Sequence, residues 1–145
     1  MDAMEPLRRE QYPHLQAIST RWSDNDVYGH VNNVIYFSYF DTVVNQYLIE
    51  QRALDIHRGN VIGLVVENTC RYFQSLTFPD RVYAGLQVQR LGTSSVIYRI
   101  GLFSNEQTAP AAQGRFVHVY VERESRKPVP LPPALRAALE PLVRD

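Results

Sequence analysis

Ten consecutive residues, Asp24-Asn25-Asp26-Val27-Tyr28-Gly29-His30-Val31-Asn32-Asn33, place two carboxylates, an imidazole, a glycine and an adjacent pair of carboxamides just before a long apolar segment. If that segment is a helix, its first turn offers unpaired backbone N–H groups and the positive end of the helix dipole. Such an end can hold an oxyanion or a phosphate. A carboxylate a few residues upstream can act as base or nucleophile toward whatever the helix end polarises. Together these parts suit acyl chemistry.

Other chemistries fit the chain less well. Asp24, Asp26 and His30 could hold a divalent cation, but no Gly-rich phosphate loop accompanies them. His14, His57 and His118 are scattered and Cys70 is the single cysteine, so no metal-ligand cluster is expected. A Gly-x-Ser-x-Gly nucleophile elbow is absent. Neither a metal nor a cofactor is expected.

The elements that must position the loop can be read on either side of it. His14–Trp22 alternates as a first strand. Asp24–Gly29 has turn chemistry, and Asn32 or Asn33 is placed to cap the following helix. From Val34 to about Gln51 apolar side chains occupy almost the whole circumference, which predicts a buried helix that something must wrap. Four alternating segments follow. Val61–Gln74 carries Val66, Asn68, Cys70 and Tyr72 on one face; the others run through Val82–Val88, Val96–Leu102 and Phe116–Val121. Their connections are short and rich in turn residues, so the strands should be antiparallel. A proline-rich approach leads to a last helix, Ala134–Leu142. This order, strand, helix, four strands, helix, defines an α+β class. A helix buried by one sheet leaves an apolar surface or a sheet edge that a second copy could cover, so a homodimer is expected.

Composition sets the frame. The 145 residues suit one domain, and 45% apolar with 21% charged residues is ordinary for a globular chain. A net charge of zero gives no footprint for nucleic acid or for an anionic membrane. One cysteine, no signal-peptide pattern at the start and no membrane-length apolar run point to the cytoplasm. Among the basic residues only Lys127 is lysine; the arginine bias reads as base composition rather than as a phosphate site.

The run Asp26-x-x-Gly29-His30-Val31-Asn32-Asn33, followed by Tyr36 and an aromatic helix, resembles the hotdog-fold acyl-CoA thioesterases of the 4-hydroxybenzoyl-CoA thioesterase family. Within it, the Gly-His-(Val/Leu)-Asn-Asn loop is similar to the branch shared with plant-type acyl-carrier-protein thioesterases. The resemblance implies a hotdog fold over residues 1–145, a long central helix wrapped by a curved antiparallel sheet of about five strands. It also implies dimers or tetramers that join sheets edge to edge, with the site at the subunit interface. By the same resemblance the catalytic carboxylate lies three residues before the loop glycine, at Asp26, and the polarising N–H is that of Asn33.

The remaining residues carry two readings each. Asp26 would be general base to water or a nucleophile. Asp24 is a structural hydrogen-bond acceptor in the loop, or a like charge that acts on Asp26. Gly29 permits close substrate approach or only a turn. His30 meets the thioester or merely packs. Tyr36, with Phe37, Tyr39 and Phe40, lines an acyl site or is plain core. Glu67 falls on a strand and is given no catalytic role. Arg71, Arg90, Arg99, Arg115 and Arg123 could meet CoA phosphates, but solvated sheet-face positions explain them as well. The expected activity is hydrolysis of an acyl-CoA or acyl-carrier thioester. A non-catalytic binder of acyl thioesters and a hotdog dehydratase or hydratase are the alternatives.

Overall fold

The structure, a computed structural model, describes residues 6–55 and 57–144. Its elements are β1 (His14–Ser19), α1 (Asn33–Glu50), β2 (Val61–Tyr72), β3 (Arg81–Leu91), β4 (Ser95–Ser104), β5 (Ala112–Glu122) and α2 (Pro133–Leu139). The five strands form one sheet in the order β1-β3-β4-β5-β2, with every pairing antiparallel. β1 and β2 are the two edges, so the chain crosses the whole sheet between them. α1 makes that crossing over one face.

Three ends differ from the sequence expectation, each for a local reason. β1 stops at Ser19, because Asp24 captures the Arg21 N–H and turns residues 22–24 into a short 3₁₀ segment. β2 stops at Tyr72, because the N–H groups of Phe73 and Gln74 both donate to the Ala111 carbonyl, which ends the ladder. α2 stops at Leu139, and Glu140–Leu142 tightens to 3₁₀ around Pro141, which has no N–H to give. Asn32 caps α1, its Oδ1 accepting the Val34 N–H at 3.1 Å.

The core face of the sheet is built from alternating residues such as Val82, Ala84, Leu86, Tyr98, Ile100, Phe116 and Tyr120. α1 seats Tyr36, Tyr39, Phe40, Val43, Val44, Tyr47 and Leu48 against them. Gly114 of β5 makes room for Phe40, since a Cβ there would fall on the Phe40 ring. One sheet covers one side of α1, and the other side stays open in a single chain, with Val34 67% and Ile49 57% exposed.

The face of β2 also needs correction. The register slips between Val65 and Glu67, so Val66 is the extra residue of a bulge. Val65 pairs with His118, Asn68 with Phe116, Cys70 with Gly114 and Tyr72 with Ala112. Paired residues share a face, so the side turned toward α1 carries Val65 rather than Val66, which is 58% exposed.

Candidate active site

The loop between β1 and α1 is held by its own polar side chains. Asp24 is 1% exposed and anchors the loop from beneath. Its carboxylate accepts hydrogen bonds from the Arg21 N–H (2.9 Å), Arg21 Nε (3.1 Å), Arg21 Nη2 (3.0 Å) and the Tyr39 hydroxyl (2.8 Å). Burial works to raise the Asp24 pKa, but the bonds from Arg21 and Tyr39 outweigh it and hold the carboxyl below its ordinary value. The Tyr39 hydroxyl is pushed up in turn, by burial and then by the Asp24 charge. The Asp24 carbonyl accepts the Asn32 N–H at 2.8 Å and so ties the start of the loop to the helix cap.

Asp26 opens a tight turn that ends on the helix. Its N–H donates to the His30 carbonyl (2.8 Å), its carbonyl accepts the Gly29 N–H (3.1 Å), and its Oδ1 accepts the Tyr28 N–H (2.9 Å). Gly29 closes the turn at φ +82°, with nothing within 4 Å of where a Cβ would stand. The left-handed backbone angle, not crowding, is what calls for glycine. The turn is strapped to residues 76–78 by Val31 N–H to the Leu76 carbonyl (2.7 Å), the Thr77 hydroxyl to the Gly29 carbonyl, and Phe78 N–H to Asn25 Oδ1 (3.0 Å).

A cavity of about 540 Å³ lies over the turn. Asp26, His30, Asn33 and Tyr36 line one side of it, so four of the five residues singled out in the sequence share one space. The fifth, Gly29, shapes the turn between the lining residues Tyr28 and His30. Asn33 is the first residue of α1 and, among the described residues, its N–H has no protein acceptor. The Tyr36 hydroxyl accepts the Leu76 N–H at 3.2 Å, and its ring meets Tyr72 edge to face at 4.9 Å. Burial raises the Tyr36 pKa, so the group is a neutral phenol that positions the wall.

The opposite wall, Tyr72-Phe73-Gln74-Ser75, was not singled out from the sequence. The only hint was two aromatics at the end of a strand. Glu67 points away from the cavity and pairs with Arg115 at 2.6 Å on the outer face. Of the arginines considered for CoA, Arg99 bonds Gln87 (2.9 Å) and Arg123 bonds the Gly59 carbonyl (2.8 Å). Arg71 lies 5.5 Å over the Phe73 ring, beside the cavity. Among the described residues no three His, Cys, Asp or Glu side chains are grouped as a metal site, and no helix is long and apolar enough to cross a membrane.

Comparison with known proteins places this geometry. A family model described as the thioesterase-like superfamily matches residues 20–139, which include the loop, α1 and all the later strands. The chain belongs to the thioesterase-like superfamily. Membership sets it among thioester hydrolases, and its solved neighbours share the fold throughout. The PA5185 protein of Pseudomonas aeruginosa strain PAO1 is 56% identical, with a TM-score of 0.94 over 97% of this chain and 99% of that one. PA2801 of Pseudomonas aeruginosa, a putative thioesterase, is 30% identical, with a TM-score of 0.82 over 88% and 98%. A thioesterase from Thermus thermophilus, solved with coenzyme A and Zn, is 28% identical, with a TM-score of 0.74 over 92% and 96%. In this thioesterase-like chain the loop turn and the helix N-terminus face one cavity.

Proposed function

We propose that this chain hydrolyses an acyl-CoA or acyl-carrier thioester to a carboxylic acid and a free thiol. The carrying observation is that Asp26 and the first residue of α1, Asn33, line the same cavity in a thioesterase-like fold. The thioester carbonyl is taken to lie at the Asn33 N–H, where the helix end stabilises the developing oxyanion. Asp26 then removes a proton from water as the water oxygen bonds to the carbonyl carbon. The C–S bond breaks as the tetrahedral centre collapses, and the departing sulfur takes up that proton. In the nucleophilic variant an Asp26 oxygen attacks first and water cleaves the resulting anhydride. Asp26 Oδ1 is engaged by the Tyr28 N–H, which fixes the carboxylate and leaves Oδ2 for either role. His30 and Tyr36 are proposed to border the reacting group, and Gly29 to set the turn that presents it.

The hotdog arrangement, with the chain as one domain that completes its site against a second copy, is part of the same proposal. It is supported by the open side of α1 and by the free edge of β2, where Val65, Val66 and Tyr72 are 44%, 58% and 43% exposed. A homodimer or homotetramer follows from that reading, and a cytoplasmic setting is proposed separately from the single cysteine, Cys70. The test is to incubate the protein with short, long and aromatic acyl-CoAs and to follow free thiol. Release from at least one class supports hydrolysis, whereas binding with no thiol from any of them would make the chain a non-catalytic acyl-thioester binder.

A further inference from the structure

The residues Thr77-Phe78-Pro79-Asp80 lie just before β3 and are not among those that line the cavity. They form a turn that is fixed to the sheet. Asp80 N–H donates to the Thr77 carbonyl (2.8 Å) and Thr77 N–H to Asp80 Oδ2 (3.2 Å), which closes the turn on itself. At the end of β4 the Ser104 hydroxyl donates to Asp80 Oδ2 (3.4 Å) and Asn105 Nδ2 to Asp80 Oδ1 (3.3 Å). Just past β1 the Thr20 hydroxyl donates to the Asp80 carbonyl (2.8 Å).

From this anchored turn the half-buried Thr77 side chain reaches the loop. Its hydroxyl donates to the Gly29 carbonyl, and among the described residues no other group donates to that carbonyl. Gly29 sits in the middle of the bonds that define Asp26. The N–H groups of Tyr28 and Gly29 are bonded to Asp26 Oδ1 and to the Asp26 carbonyl, and the His30 carbonyl to the Asp26 N–H. The other two straps hold the ends of the loop, at Asn25 and Val31. Glycine is the residue with the widest choice of backbone angles. The peptide between Gly29 and His30 is therefore where the loop would rotate most readily, and it is the peptide that Thr77 fixes.

We propose that Thr77 is a positioning residue for the hydrolysis: through the Gly29 carbonyl its hydroxyl holds the turn that aims the Asp26 carboxylate. This rests on the reading of Asp26 as base or nucleophile. Thr77 does not line the cavity, so it acts on the orientation of the reacting carboxylate and not on the contacts that bind substrate. Small losses of alignment at a reacting group are costly to the rate, even when the change lies outside the site. The effect should fall on kcat and leave KM in place.

The experiment compares Thr77→Val, which keeps the branched shape and loses the hydroxyl, with Thr77→Ser, which keeps the hydroxyl. Thiol release from the best acyl-CoA of the panel is measured per folded molecule, well below the Tm of each variant. Thr77→Val should lower kcat by about tenfold with KM changed by less than about twofold, and Thr77→Ser should restore most of the rate. In an Asp26→Asn background Thr77→Val should cause no further loss, because the carboxylate it positions is already gone. A role in stability alone would lower Tm and leave kcat of the folded protein in place. An unchanged kcat in Thr77→Val, a Thr77→Ser variant as slow as Thr77→Val, or the same fold loss in both backgrounds overturns the proposal while the hydrolase reading stands. No thiol release by the wild-type protein overturns the hydrolase reading, and full activity of Asp26→Asn overturns the reading of Asp26; either result removes the positioning role as well.

Discussion

Tyr39→Phe removes one oxygen atom and tests what holds the loop to the helix. The lost hydroxyl donates to Asp24 Oδ2 at 2.8 Å, in a place where the carboxylate is 1% exposed. The ring is retained, so no cavity opens and the effect isolates a hydrogen bond to a charged, buried acceptor. Such bonds contribute about 1.5–3 kcal/mol. Asp24 keeps its three bonds from Arg21, which argues for the middle of that range, about 2 kcal/mol. In a chain of this size that lowers Tm by about 6–8 °C. The assay is urea and thermal unfolding at one fixed protein concentration, because self-association would couple stability to concentration. The pH dependence adds a sign. Asp24 has a folded pKa below its ordinary 3.8, so its contribution is present above that value and is lost as pH falls through the folded pKa. The gap between wild type and Tyr39→Phe should therefore narrow in acid as Asp24 protonates. A loss below about 0.5 kcal/mol at neutral pH, less than an ordinary hydrogen bond contributes, or a gap that widens in acid, would refute the reasoning.

Three further outcomes follow from the same geometry. Burial pushes His118 down to about 4, so the unfolded chain takes up the proton first and stability should fall as pH drops from about 6.5 toward 4, by up to about 3 kcal/mol. In His118→Phe, urea unfolding at pH 7 and pH 4.5 should show a flatter profile, and an equally steep one would contradict the assignment. Gly29→Ala should cost about 1 kcal/mol in thermal unfolding, because the φ of +82° is strained for alanine while nothing obstructs the methyl; no loss would mean that the turn adapts. Glu67→Gln breaks an outer-face pair with Arg115, so it should change stability by less than about 1 kcal/mol and leave acyl-CoA hydrolysis at the wild-type rate. A large fall in rate would place Glu67 in the chemistry.

Much of this arrangement was legible in the sequence because the sheet has one core face. Val82, Ala84, Leu86 and Val88 alternate with Arg81, Tyr83, Gly85 and Gln87, none of which is aliphatic beyond glycine, and this period of two marks a strand. The Asn32 cap marked the start of α1 to within a residue. What was hidden depended on contacts between distant segments. The bulge at Val66 exchanges the faces of Val65 and Val66, and nothing in the run Leu64-Val65-Val66-Glu67 announces it, since every apolar residue there fits either face. The loop half of the candidate site was visible because its residues are consecutive. The wall Tyr72–Ser75 was not, because antiparallel pairing brings it to α1 from many residues away.

The central claim is that Asp26 performs the hydrolysis, and Asp26→Asn tests it most directly. The Asn side chain keeps an Oδ1 that can accept the Tyr28 N–H, so the turn is retained while the basic or nucleophilic oxygen is lost. With the best acyl-CoA of the panel, thiol release by a variant whose Tm matches wild type should fall by about a hundredfold or more. Thiol release near the wild-type rate from that folded variant would contradict the account.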